Sequence, residues 1–274
     1  MSLIPEIKEQ QSVELLKALH ILTRDGKINQ DSRRKLKQVY HLYNFIEPLM
    51  HKVLEEQKQL LLVDHGAGKS YLGFILYDLL LKNYPEAHVY GIEFREQLVK
   101  SSEDLAKKLG FSDGMSFKAM SVEEAMSSSD IPPRVDITTA LHACDTATDD
   151  AIRFALERQS KYIVLVPCCQ AEVAAHMRQN KNAALRQSSL SEIWRHPIHT
   201  REFGSHITNV LRCLQLEARG YQVTVTELVG WEHSMKNELI IARKVANFKK
   251  SARERQLDIM KEFGLEGMTE RFAY

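Results

Sequence analysis

Between Leu60 and Pro167 short unbroken apolar runs alternate with stretches in which apolar residues return every three or four positions. The short runs, bounded by turn residues, predict buried strands, and the 3.6-residue recurrence predicts helices. Strands are expected at 60–64, 88–93, 115–119, 135–142 and 161–167, with helices at 69–82, 95–109, 121–127 and 148–159. Such alternation builds a parallel sheet with right-handed crossovers, helices on both faces and ligands at the carboxyl ends of the strands. Two further runs, 220–229 and 238–245, are joined too closely for a parallel crossover and must pair antiparallel. The expected fold class is α/β: a mostly parallel seven-stranded sheet ending in an antiparallel hairpin.

Flanking segments carry helical periodicity instead. Residues 1–58 read as an N-terminal helical segment. Val13, Leu15, Leu16, Leu19 and Leu22 form one stripe, and a longer helix capped by Asn29 or Asp31 carries Leu36, Val39, Tyr40, Tyr43, Phe45 and Ile46 before Pro48. Its Arg33-Arg34-Lys35-Leu36-Lys37 cluster is either a solvated face or a contact for an anionic substrate such as RNA. The sheet domain is expected over 59–246, with an insertion at about 170–203 preceding a helix over His206–Glu217. That insertion holds Arg178, Lys181, Arg186, Arg195 and Arg201 with His176, His196 and His199, and is either a substrate lid or helical decoration. Residues 247–274 read as a helical extension docked by Ile259, Met260, Phe263 and Leu265.

The turn after the first strand carries the most chemistry. Leu60 to Asp64 ends in a carboxylate, turns on Gly66 and Gly68, and re-enters a helix, so a ligand can approach the main chain of the first helical turn. The second strand ends in Glu93, where a carboxylate can take both hydroxyls of a ribose. Gly68-Lys69-Ser70 looks like the end of a phosphate-binding loop, but the glycine needed five positions earlier is Val63. A dinucleotide site would want a glycine at position 71, which is Tyr71. Asp64 would repel a pyrophosphate and attract an ammonium or sulfonium group. S-adenosylmethionine fits this charge pattern best.

Composition sharpens the picture only a little. Of 274 residues 44% are apolar, enough for a substantial core, and a formal net charge of +1 selects no partner class. The N-terminal residues lack an apolar signal core, and no run approaches the roughly 18 apolar residues that span a bilayer, so a cytosolic protein without a membrane partner is expected. The adjacent pair Cys168-Cys169, with Cys144 and Cys213, favours a reducing compartment. No zinc is expected, because the cysteines and histidines lack paired-ligand spacing.

Three segments offer candidate catalytic groups. The fourth strand ends Leu141-His142-Ala143-Cys144-Asp145, where His142 can accept a substrate proton with Asp145 orienting it, or merely hydrogen-bond the cofactor or backbone. The fifth ends Pro167-Cys168-Cys169-Gln170, where a thiolate nucleophile competes with a packed or site-lining thiol. The last connection carries Lys236 and Asn237, which can grip a substrate phosphate or belong to a plain polar hairpin. Two alternatives stay open: a phosphate-loop hydrolase using Lys69 and Ser70, and a non-catalytic RNA-binding module on the same fold.

Over roughly residues 30–245, the segments Asp64–Leu72, Leu141–Asp145, Pro167–Cys169 and Ser234–Asn237 together resemble the methyltransferase family of the methyltransferase-like 25 proteins, the glutathione S-transferase C-terminal-domain-containing protein and, more distantly, the Trm13 tRNA 2′-O-methyltransferases. The resemblance implies a Rossmann-like class I methyltransferase. It implies that S-adenosylmethionine is held by Asp64, His65, Gly66, Ala67, Gly68, Lys69, Tyr71, Glu93, Phe94, Leu141 and His142, with the adenine near Ser121 and Val122. RNA is the implied acceptor class. The chain departs from the family pattern at Ser70, where glycine is commoner, and at Gln170, where the tRNA enzymes continue with histidines.

Overall fold

A computed structural model describes residues 7–141, 146–168, 170–179, 189–228 and 238–273. The strands are β1 (Leu60–His65), β2 (Ala87–Glu93), β3 (Met115–Ala119), β4 (Ile137–Leu141), β5 (Tyr162–Val166), β6 (Tyr221–Glu227) and β7 (Glu238–Lys244). They form one sheet in the order β3-β2-β1-β4-β5-β7-β6. β1 to β5 are parallel, and β7 runs antiparallel to both β5 and β6. The hairpin expected from the sequence is present, with its second strand inserted between β5 and β6. The reversal beside β1, where the chain leaves for β2 on one side and β4 on the other, puts the switch point at which such sheets bind ligands at the carboxyl ends of these strands.

The helices are α1 (Val13–Ala18), α2 (Gln30–Gln57), α3 (Tyr71–Leu79), α4 (Glu96–Leu109), α5 (Val122–Ser127), α6 (Thr146–Glu157), α7 (Glu172–Gln179), α8 (Pro197–Ala218) and α9 (Lys250–Glu262). Asn29 caps α2 by accepting from the Ser32 amide at 2.8 Å. α2 continues through Pro48. The missing proline N–H removes one hydrogen bond, but Met50, Val53 and Leu54 beyond it are buried, and that burial holds the last turns.

Leu15, Leu16, Leu36 and Ile46 of the N-terminal helices belong to the same core cluster as Leu62, Val89, Ile137 and Val164 of the sheet. The described part of the insertion is packed rather than free. α7 presses Val173 and Met177 against Leu211 of α8 and against Met260, Phe263 and Leu265 of the C-terminal extension. At Gly204 an added Cβ would lie 2.8 Å from the Ala174 amide nitrogen, so α7 and α8 touch backbone to backbone. α8 consequently begins at Pro197, nine residues ahead of the expected start. Among the described residues no helix is long and apolar enough to cross a membrane.

Candidate cofactor site

The loop from β1 into α3 is built by three departures from ordinary backbone. Gly66, Gly68 and Ser70 all have left-handed φ, at 63°, 58° and 51°. The glycines adopt this freely, whereas Ser70 is held there at a cost of about 1 kcal/mol or more. Ala67 donates its amide to the Ile92 carbonyl at 3.1 Å, and Ser70 donates to the Ala67 carbonyl at 2.6 Å, which pins the loop to β2 and folds it on itself. Among the described residues a Cβ on Gly68 would meet nothing closer than the Gly66 carbonyl oxygen at 3.9 Å, so they leave the space above this turn open. Lys69 is exposed.

Asp64 lies beneath the loop, only 2% exposed. Thr139 of β4 donates its hydroxyl to Asp64 Oδ1 at 2.7 Å, and the Gly73 amide donates to the same carboxylate. Burial dominates these two bonds and pushes the carboxyl up to about 7. The neighbouring His65 is pushed down to about 3 by burial alone. Its ring packs edge-on against Phe154, centroids 4.3 Å apart, and neither ring nitrogen has a hydrogen-bond partner among the described residues.

Glu93 ends β2 beside the turn. Its Oε2 accepts from the Gly68 amide at 2.9 Å, and Oε1 accepts from the Arg95 amide at 3.1 Å. The Arg95 guanidinium reaches both oxygens, Nε to Oε1 at 2.8 Å and Nη2 to Oε2 at 3.2 Å. Burial opposes the charge, but the bonds from Arg95 and Gly68 together outweigh it, and the carboxyl titrates below its ordinary value. Phe94, next in sequence, is 77% exposed. Ser121 caps α5 reciprocally with Glu124, and Val122 packs on the cluster that contains Val63 and Ile92.

Other expected cofactor residues stand differently. The Tyr71 hydroxyl donates to the Leu19 carbonyl at 2.8 Å, committing it to the N-terminal segment. Ser70 is fully buried with a hydroxyl that has no partner among the described residues, and a Cβ on Gly73 would meet that oxygen at 2.6 Å. The hydroxyl therefore faces the contact between α3 and the sheet rather than a phosphate-bound metal, which removes the geometric basis of the hydrolase alternative. Leu141 closes β4. His142, Cys144, Asp145, Cys169, Lys181, Arg186, Lys236 and Asn237 lie outside the described residues. Cys168 and Cys213 are half-buried, and each keeps a reduced thiol. Among the described residues no three His, Cys, Asp or Glu side chains form a metal-binding group.

Sequence reasoning missed Thr139, Gly73, Gly91 and Arg95. Gly73 and Gly91 supply the close approach sought at position 71: a Cβ on Gly91 would strike Phe117 at 2.6 Å. The available signals were a threonine pair in an otherwise apolar strand and a glycine inside an apolar helix.

The basic cluster of α2 stands over this edge of the sheet. α2 is 28 residues, about 42 Å at 1.5 Å per residue, and it leads into the six-residue β1, about 20 Å long. Its N-terminal half thus overhangs the carboxyl end of β1, and Lys35 Nζ lies 4.9 Å from the Tyr71 ring centroid. Arg33, Arg34, Lys35 and Lys37 are exposed, as are Arg24 and Asp25 of the preceding loop. On the opposite flank a cavity of about 430 Å³ lies between α7 and α8, lined by Ala171, Ala174, Arg178, Pro197, Ile198 and Arg201.

The sequence model of a family described as a methyltransferase domain matches residues 34–176. Among solved structures, the magnesium protoporphyrin IX methyltransferase of Synechocystis, with bound S-adenosylhomocysteine, is similar at 15% identity over 86% of this chain and 96% of its own, TM-score 0.48. TrmK of M. capricolum, also holding S-adenosylhomocysteine, is similar at 10% identity over 69% of this chain, TM-score 0.42, and the chain spans 64% of its length. An rRNA methylase of Streptococcus thermophilus is similar at 12% identity over 69% of this chain and 88% of its own, TM-score 0.42. No curated protein matches the chain in sequence.

Proposed function

This chain belongs to the methyltransferase-domain family, and we propose that it transfers a methyl group from S-adenosylmethionine to RNA. The observation that carries the cofactor assignment is the joining of Glu93 to the Gly68 amide under an open turn, which sets a ribose-binding carboxylate beside a backbone free for close approach. Glu93 binds the ribose hydroxyls, displacing or sharing the Arg95 guanidinium. Gly66, Ala67 and Gly68 admit the methionine part. The Asp64 carboxylate below them supplies negative charge under its ammonium. Exposed Phe94 and the α5 start at Ser121 and Val122 flank the adenine.

S-adenosylmethionine, when bound, supplies a methyl already activated for displacement, so the protein's task is alignment, exclusion of water and handling of one proton. By chain position His142 is the candidate to take that proton, and Cys168, Cys169, Lys236 and Asn237 are the candidate acceptor-side groups. The RNA assignment is supported by the cationic ridge of Arg33, Arg34, Lys35 and Lys37 overhanging the same edge, with Arg178 and Arg201 on the opposite flank.

Calorimetry tests the first half: Glu93→Ala loses S-adenosylmethionine affinity, and magnesium ATP does not compete. Equal affinity in wild type and variant overturns the cofactor assignment. Incubation with labelled S-adenosylmethionine and total cellular RNA, then protein extract, tests the second half. Label in protein alone overturns RNA as the acceptor. A salt titration adds magnitude, since replacing Arg33, Lys35 and Lys37 with glutamine lowers the slope of log affinity on log salt by roughly 2–3.

A further inference from the structure

Three stretches carry the acceptor-side groups in the reading above: the turn after β4, the Cys168-Cys169 segment after β5, and the connection into β7. Each is followed at once, or within about one helical turn, by a described polar residue, namely Asp149, Gln170 and Glu238. All three of these residues converge on one face of α8.

Arg212 is the centre. Its guanidinium is fully buried, with Nε donating to Asp149 Oδ1 at 2.7 Å and Nη2 donating to Asp149 Oδ2 at 2.9 Å. Nη1 donates to Gln170 Oε1 and, at 3.2 Å, to Asn209 Oδ1. The Gln170 amide donates to Asn209 Oδ1 at 2.9 Å and to the Ser205 carbonyl at 2.8 Å. Asn209 in turn donates Nδ2 to Glu238 Oε2 at 2.7 Å. Arg271 of the C-terminal extension adds two bonds to Asp149 Oδ2, at 3.0 and 2.6 Å, and pairs with Glu172 of α7.

Apolar residues would usually stabilise such a position as well as a buried ion pair does, so the network's distinguishing property is geometric: one guanidinium and one amide hold Asp149, Gln170 and Glu238 together. We propose that Asn209 and Arg212 are positioning residues that couple the three acceptor-side segments, so that displacing one anchor loosens the others. What those segments do rests on the methyltransferase reading; that they are coupled through α8 does not.

Asn209→Asp tests the coupling with the fold preserved. It keeps the oxygen that accepts from Gln170 and Arg212 but sets a carboxylate against Glu238. Two readouts follow, alkylation of Cys168 by iodoacetamide, assigned from peptide fragment masses, and single-turnover methyl transfer to cellular RNA at saturating S-adenosylmethionine. The expected result is several-fold faster labelling of Cys168 and transfer slowed by roughly 10- to 100-fold, with S-adenosylmethionine affinity unchanged. Adding Glu238→Gln, which restores a donor and an acceptor in reversed order, returns both readouts towards wild type. Unchanged Cys168 labelling in Asn209→Asp overturns the proposal, as does a loss that Glu238→Gln leaves unrepaired. A wild-type protein that binds no S-adenosylmethionine overturns the methyltransferase reading instead, and the Cys168 result still decides the coupling.

Discussion

Asp64→Asn is the substitution that isolates the charge under the turn. In the folded protein burial pushes the carboxyl up to about 7, while in the unfolded chain it titrates near 3.8. At about 1.36 kcal/mol per pK unit, this upward shift corresponds to about 4 kcal/mol. The sign follows from proton binding: between about pH 4 and pH 7 the native state holds the proton more tightly, so this stabilising contribution is complete below pH 4 and lost as pH rises through 7. A ligand ammonium reverses part of that loss. A unit charge roughly 6 Å from the carboxylate at an effective dielectric of about 20 is worth about 2.8 kcal/mol, or about two pK units. S-adenosylmethionine affinity should therefore rise by roughly 45-fold between pH 5 and pH 8, with proton release on binding. Calorimetry in buffers of different ionisation heat measures both. The introduced carboxamide cannot ionise, so in the variant the pH dependence should flatten while Thr139 and Gly73 keep an amide partner. Methylthioadenosine, which lacks the amino-acid part, should show the flat profile even in wild type. A wild-type affinity independent of pH, or a variant that retains the full dependence, would refute the reasoning.

Other expectations concern the packing around that charge. Ser70→Gly removes both a left-handed serine and a buried hydroxyl without a described partner, and should stabilise the protein by about 1–2 kcal/mol, raising Tm by roughly 2–6 °C; a lowered Tm contradicts this. Gly73→Ala places a methyl 2.6 Å from the Ser70 oxygen, so it should destabilise alone and less so in the Ser70→Gly background; equal effects in both backgrounds would show that the clash is not with that hydroxyl. His65 stays neutral when buried, so its contribution is full above pH 6.5 and lost as pH falls towards 3. His65→Leu should accordingly gain about 2 kcal/mol relative to wild type on going from pH 8 to pH 5 in urea unfolding, and a gain independent of pH would assign the effect to packing.

The strands and the glycine turn after β1 were legible because each is a local pattern: five apolar runs, two glycines, and a carboxylate closing each of the first two strands. What escaped was non-local. Thr139 meets Asp64 across 75 residues of chain, and Arg212 meets Asp149 across 63, so no spacing rule joins them. The place of β7 between β5 and β6 depends on sheet packing rather than on its own sequence. Gly73 and Gly91 looked ordinary within apolar segments because their importance lies in what faces them, Val89 and Ser70 in one case and Phe117 in the other.

The hydrogen bond from the Gly68 amide to Glu93 joins the two proposed subsites, 25 positions apart in sequence. Adenosine and methionine, offered as separate fragments, should then bind with positive cooperativity, because whichever arrives first orders the wall that receives the other. A whole cofactor should gather that mutual ordering into one event, and the demethylated product, keeping both halves, should inherit it and leave slowly.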